Sequence, residues 1–254
     1  MGGFGLAALL GLVTWRLRAA TPWGSVAGAA ITASLIFSTS MPPYQLGRSA
    51  IAPVLAVALL AHLATRLGRR RKERLGIAES GHGRTAAQIA ANLGAAMLAA
   101  TPQMQSLLLN CDWLGRRIAA PMPFFAVALA ALAEAAADTV SSEIGQVFGG
   151  QPRLITTLRR VEPGRDGAIS VAGTLAGIVA GTVVAALGAW CVQGDLVLFA
   201  VAAAGGVFGL LFDSLLGATL EERGWLNNDA VNFLSTCAAA AFAVTVLALL
   251  HLRA

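Results

Sequence analysis

Apolar residues run in unbroken stretches along the whole chain, separated by short polar or Pro/Gly-rich breaks. The pattern predicts eight helical spans, over about 2–15, 23–41, 49–65, 85–108, 119–148, 168–192, 196–220 and 229–252, the first short enough to cross only in part. Stretches of roughly 17–25 apolar residues match the ~30 Å hydrocarbon core of a bilayer. They are continuous rather than alternating, which excludes a β-barrel. The expected fold is all-α: a polytopic transmembrane helical bundle forming one integral membrane domain over 1–254. Residues 1–84 supply the N-terminal helices and a basic loop, and residues 85–254 carry the motifs.

Composition supports this reading. The chain is 57% hydrophobic and 12% charged, with a mean hydropathy of +0.71, whereas soluble domains run at about 45–50% and about 25%. A pI near 10.1 would suit nucleic acid, but Lys72 is the one lysine and the arginines fall in the breaks, where their first role is topological. No nucleic-acid partner is expected. Taking alternate breaks, one side collects 14 of the 18 basic residues, the other only Arg48, Arg116, Arg117 and Arg253. The positive-inside rule places the first group in the cytoplasm, in a cell (inner) membrane; an even count of eight spans then puts both termini outside. Residues 1–15 have no basic leader and no cleavage site, so they read as the first span. Cys111, Cys191 and Cys237, at no metal-ligand spacing, predict free thiols.

Glycine recurs every fourth residue in Gly24–Gly28, Gly173–Gly177–Gly181 and Gly205–Gly209. Such faces let helix backbones approach closely, within the bundle first of all, and they also allow a homodimer.

The candidate chemistry lies where carboxylates interrupt apolar helices, since each costs ~3 kcal/mol at the bilayer centre. Glu134 and Asp138 are four apart, on one helical face continued by Ser141, Ser142 and Gly145. Glu143 lies ~140° away round an ideal helix and is expected to make a different contact. At 1.5 Å per residue, Asp138 sits ~21–26 Å along its helix from 121–124 and Asp213 ~26 Å past Leu196, so both approach the cytoplasmic edge. Gln88 and Asn92 begin one helix on that side, and Asn228, Asp229 and Asn232 begin another. Carboxylates with amide oxygens suit Mg²⁺, with Asp138, Asp213 and Glu134 as the expected ligands. Glu143 and Asp229 are further acidic candidates. The loop 152–167 adds Arg153, Thr156, Thr157, Arg159, Gly164, Arg165 and Gly167, whose guanidinium forks, hydroxyls and backbone amides suit phosphate. Glu79, Glu221 and Glu222 read as solvated loop charges, His62 and His251 as interfacial, and His82 as a loop residue. The cluster 69–74 reads as a topology determinant or a contact with anionic lipid. There is no P-loop, no H-E-x-x-H and no G-x-S-x-G.

These motifs come in order: 83–92, 137–145 with Asp138-Thr139-Val140-Ser141-Ser142-Glu143, 152–157, 163–177, 213–219 with Asp213-Ser214, and 224–236 with Asn227-Asn228-Asp229. Together they resemble the integral membrane family that includes plant phytyl-phosphate kinase and many relatives without an assigned activity. The resemblance covers nearly the whole chain. The family often has an acidic residue where Thr85 stands, a tryptophan where Val140 stands, and a second glycine where Ala168 stands. It implies Mg²⁺-dependent phosphoryl transfer from a nucleoside triphosphate, CTP favoured, to an isoprenyl phosphate. Asp138 and Asp213 would hold the metal, Arg153, Arg159 and Arg165 with Thr156 and Thr157 would grip phosphates, and Gln88, Asn92, Asn228 and Asn232 would orient ligands. Two other readings stand beside it: a transporter or flippase for an isoprenoid lipid or a cation, and cytidylyl transfer to a lipid phosphate.

Overall fold

The computed structural model describes residues 2–40, 46–77, 83–110, 124–192 and 196–251. Glu79, His82, Cys111, Arg116, Arg117 and the start of the span expected from 119 lie outside them. Among the described residues ten α-helices follow in order: α1 (Gly2–Arg16), α2 (Pro22–Thr39), α3 (Ile51–Arg66), α4 (Arg69–Leu75), α5 (Ala86–Ala100), α6 (Pro102–Asn110), α7 (Phe124–Phe148), α8 (Val171–Cys191), α9 (Leu196–Leu216) and α10 (Asn228–His251). A π-helical turn, Gly217–Glu221, prolongs α9, and two-residue strands β1 (Arg153–Leu154) and β2 (Ala168–Ile169) pair antiparallel between α7 and α8.

Helix starts follow side-chain chemistry. Thr21, Thr85 and Ser170 accept the amides of Gly24, Gln88 and Gly173 at α2, α5 and α8, as good N-caps do. Gln88 Oε1 returns a bond to the Thr85 amide at 2.8 Å, completing a capping box.

α7 is the axis of the bundle. Its residues from Phe125 through Ala137 are all buried, and apart from Glu134 that stretch is apolar all round, as befits a helix enclosed by others. α3, α5, α8, α9 and α10 pack around it. The glycine ladders make this approach. A Cβ on Gly177 would meet the Ala137 carbonyl at 2.6 Å and Ser141 Cβ at 2.8 Å, and one on Gly206 would meet Ala133 Cβ at 2.9 Å.

The structure revises the expected eight spans. Among the described residues four helices are long and apolar enough to cross a membrane: α7, α8, α9 with its π turn, and α10. A fifth arises if α3 and α4, bent by 59°, count as one span. α1 and α5 have 15 residues each, ~22 Å of helix, short of the ~30 Å core. The stretch expected as one span over 85–108 breaks at Thr101-Pro102. Proline holds Thr101 in an extended conformation, and Thr101 Oγ1 then caps α6 by accepting the Met104 amide. With the count changed, the placement of both termini outside loses its footing.

The basic cluster, expected as loop, forms helix α4. Gly68, at φ +65°, makes the bend; a Cβ there would meet both Val147 methyls at 2.6 Å. α4 sends Lys72 inward. Its Nζ donates to Glu143 Oε2, to the Ala64 carbonyl at 3.1 Å and to the Thr65 carbonyl at 3.3 Å, capping α3. Thr65 Oγ1 donates to Glu143 Oε1 at 2.6 Å. Lys72 is 2% exposed and Glu143 6%, so one partner without the other is a buried lone charge.

Two predictions follow. Glu143→Gln or Lys72→Met alone should destabilise the detergent-solubilised protein by about 3–5 kcal/mol, and the double variant by less than the sum, in a thermal double-mutant cycle. Gly177→Ala should lower the melting temperature. Gly28→Ala should hold or raise it, because a Cβ there meets only Ile89 methyls at 3.8 Å and helix propensity gains ~0.5–1 kcal/mol.

Candidate functional site

A polar cavity of about 240 Å³ opens where α5, α7, α9 and α10 meet the loop between α7 and α8. α7 contributes Asp138, Thr139, Ser141 and Ser142; α9 and its π turn contribute Asp213, Ser214 and Glu221. α5 contributes Gln88 and Asn92 below Arg84, and α10 contributes Asn228 and Asn232. Pro163 through Ala168 form one wall.

The carboxyl groups of Asp138 and Asp213 lie within hydrogen-bonding reach of each other. Two carboxylates this close need a cation or a shared proton between them. Arg84 is the cation whose field reaches Asp138. Ser235 lies close to Asp213, its hydroxyl donating to the Asn232 carbonyl at 3.0 Å.

Beneath them lies Glu134, 1% exposed, within reach of the same Ser235 and of the fields of Asp138 and Asp213. Gly209 makes the room: any Cβ there would collide with Glu134 Cγ. Glu134 Oε1 and Asp213 Oδ2 are buried without a hydrogen-bond partner among the described residues. Natively such groups have one, so each is an acceptor in want of a proton, a water or an ion.

The donors are all oxygen, which fits Mg²⁺. That ion is commonly held by one or two carboxylates together with substrate phosphates and water. The expected three-carboxylate ligand set does not form. Among the described residues no three His, Cys, Asp or Glu side chains converge on a metal-sized point, and Glu134 lies below the cavity lining because it sits one turn deeper on α7. The fit is to the Asp138–Asp213 pair.

Other expected residues divide. Gln88, Asn92, Asn228, Asn232, Gly164, Arg165 and Gly167 line the cavity. Gly164 (φ +88°) and Gly167 (φ +70°) occupy left-handed conformations, and Gly167 also presses on Ala218 where a side chain would not fit. Gln88 has its carbonyl oxygen in the capping box. Arg165 is drawn to Glu222 by a surface ion pair.

Arg153, Thr156, Thr157 and Arg159 are exposed and outside the cavity lining. Arg153 folds back to donate to the Leu158 carbonyl at 2.8 Å, and the β1–β2 pairing turns this limb of the loop away. Asp229 lies in the first turn of α10, where it complements the helix dipole rather than lining the cavity. Glu143 borders the cavity, but Lys72 and Thr65 engage both its oxygens.

Three charged wall residues were not foreseen as site residues. Arg84 stands just before the α5 cap, a position visible in sequence beside Gln88 and Asn92. Glu221, expected to be solvated, is turned inward because the π turn carries the helix past residue 220. Asp166 joins them from the loop; partial burial, then the nearby Glu222, push its carboxyl up, with Arg165 opposing.

Comparison with known proteins adds relatives. The chain is 32% identical over 239 residues to an uncharacterized membrane protein of Synechocystis (sll0875), covering 89% of this chain and 82% of that one. It is 44% identical over 108 residues to an uncharacterized membrane protein of Methanocaldococcus jannaschii (MJ0933), covering 42% of this chain and 45% of that protein. It is 39% identical over 101 residues to the chloroplastic protein VTE6 of Arabidopsis thaliana, covering 39% of this chain and 30% of that protein. The latter two matches thus span less than half of each relative. No solved structure matches. The motifs, the apolar helices and a family match running from residue 5 to residue 240 agree: the chain belongs to the integral membrane protein DUF92 family.

Proposed function

We propose that this protein is a membrane-embedded phosphoryl transferase. It would move the terminal phosphoryl group of a nucleoside triphosphate, CTP favoured, onto an isoprenyl- or phytyl-type phosphate to give the diphosphate. The observation that carries this reading is the meeting of Asp138 and Asp213 from two helices inside a polar cavity, with Arg84 facing them. The family resemblance supplies the reaction class. On this reading the cavity would face the cytoplasm, which the arginines that border it, Arg84 and Arg165, support under the positive-inside rule.

Asp138 and Asp213 would hold Mg²⁺, which when bound neutralises charge on the donor phosphates. A terminal oxygen of the acceptor phosphate forms the new bond to the γ-phosphorus. The bond from that phosphorus to the bridging donor oxygen breaks, and the nucleoside diphosphate leaves with the electron pair. The attacking oxygen is already anionic, so no strong base is required of the chain. Its task is to hold two anions in line and offset charge developing on the transferred group. Arg84 supplies a fixed positive charge beside Asp138. Asn228 and Asn232 offer amide donors from α10, and Ser214 a hydroxyl from α9.

The test uses purified protein in detergent with Mg²⁺, labelled CTP or ATP, and geranylgeranyl phosphate. Diphosphate should form, vanish with EDTA, and fall by about a hundredfold or more in Asp138→Asn and Asp213→Asn, both still folded by thermal melt. Arg159→Ala should turn over like the wild type. Near-normal turnover in either Asn variant would sink the metal assignment. No diphosphate from any donor, in folded protein, would sink the kinase reading and favour transport.

A further inference from the structure

A second cavity, of about 380 Å³, lies on the other side of α5, enclosed by α1, α2, α3, α5 and one face of α7. Its walls are apolar, with Leu10, Val54, Ile89 and Leu93 among them. Among the described residues its charged lining is of one sign: Arg18, Arg66, Arg69, Lys72 and Arg84, with His62 and no Asp or Glu. Lys72 is paired with Glu143 and Arg69 with Glu73, which among the described residues leaves Arg18 and Arg66 to offer charge to a ligand, with Arg84, whose field also reaches Asp138, at the boundary. The polar cavity is mixed and mainly acidic, with Asp138, Asp166, Asp213 and Glu221 in its wall beside Arg84 and Arg165.

The two cavities share a wall. Arg84, Asn92 and Thr139 line both. The backbone around this partition is locked. Arg84 N donates to the Ala19 carbonyl and Thr21 N donates to the Arg84 carbonyl, each at 3.0 Å. Arg18 sits at φ +54° and Gly83 at φ +80°, and a Cβ on Gly83 would meet the Arg18 carbonyl at 2.7 Å. A non-glycine residue held in the left-handed region is strained and persists where the surroundings enforce it. Here the strain sets one arginine beside another at the cavity's polar end. Gly28 marks the apolar end. Unlike Gly177, a side chain on it would meet no backbone, so glycine there preserves open volume rather than a helix contact.

We propose that this cavity binds a single-chain isoprenoid monophosphate, with the chain among the α2, α3 and α5 side chains and the phosphate at Arg84, Asn92 and Thr139. A concave apolar site with a few convergent polar groups is the usual form of a small-ligand pocket, and an all-cationic rim selects an anionic head. This deepens the phosphoryl-transfer reading, on which it rests for the identity of the lipid: the acceptor would enter from the N-terminal helices and meet the donor across the shared wall.

The experiment is photolabelling of the purified full-length protein in detergent with geranylgeranyl monophosphate bearing a diazirine near the chain end. The prenyl alcohol with the same diazirine serves as control, and adducts are mapped by mass spectrometry. Adducts are expected on α2, α3 and α5. Labelling should fall by about tenfold or more in Gly28→Phe, in Ala58→Phe on the facing α3, and with the alcohol in place of the phosphate. Arg84→Gln should cut labelling by the phosphate and leave labelling by the alcohol unchanged. Unaltered melting temperatures identify folded variants, and two filling variants on different helices guard against one that fails. Adducts elsewhere, labelling undiminished in both filling variants, or equal labelling by alcohol and phosphate would each overturn the proposal. Turnover is read separately on the same samples. Labelling here without diphosphate formation would support the lipid site and defeat the kinase reading. Diphosphate formation without labelling here would defeat this site alone.

Discussion

The structure depends on burying α7 from all sides while α7 carries carboxylates. An alanine-rich helix offers little side-chain area, so its neighbours must come close, and they do so at glycine. In lipid, where no hydrophobic force drives helix against helix, this close packing is what joins them. The same closeness brings α9 and α10 near enough for Asp213 and Ser235 to reach Asp138 and Glu134. Gly209 shows that packing and chemistry are one arrangement. It lies at a contact between α9 and α10, where a Cβ would meet the Ser235 carbonyl at 3.0 Å, and its missing side chain is also the space filled by Glu134.

The helix divides its acids by direction. Asp138 faces the polar cavity, while Glu143, about 140° further round, faces α3 and α4. There it meets Lys72, and the pair with Thr65 ties the bend at Gly68 to the central helix. A buried ion pair is weak evidence for net stability but strong evidence for geometry, because neither partner tolerates separation. It fixes where the remaining arginines of 66–74 can stand, and so the composition of the apolar cavity's rim.

Much of this was legible in the sequence because it depends on local periodicity. The shared face of Glu134 and Asp138, the divergence of Glu143, and the gathering of Gln88, Asn92, Asn228, Asn232 and Asp213 at one end all follow from helix geometry. What escaped depends on departures from the regular helix or on distant contact. Thr101-Pro102 divides an apolar run that hydropathy alone reads as one span. The π turn at 217–221 adds a residue to the ladder and swings Glu221 inward. The β1–β2 pairing, two residues long, decides which half of the Arg-rich loop faces the cavity, and no local signal separates Arg159 from Arg165. Arg84 gains its place from a backbone bridge to Ala20, more than sixty residues earlier in the chain.

The sign of the charge on either side of α5 constrains any reaction that joins two anions. At ~4 Å and an effective dielectric near 20, two like charges repel by ~4 kcal/mol. A phosphate entering beside Asp138 and Asp213 would meet that repulsion unless a cation came with it. A phosphate entering past Arg18 and Arg66 would meet attraction. On the proposed reading, the requirement for a divalent cation therefore belongs to the nucleotide side, and the lipid side is served by arginine alone. The two anions then share one fixed positive charge, Arg84, at the wall common to both cavities. A guanidinium there screens each phosphate from the other at the point where they must come together, from a backbone pinned by its bonds to Ala19 and Thr21.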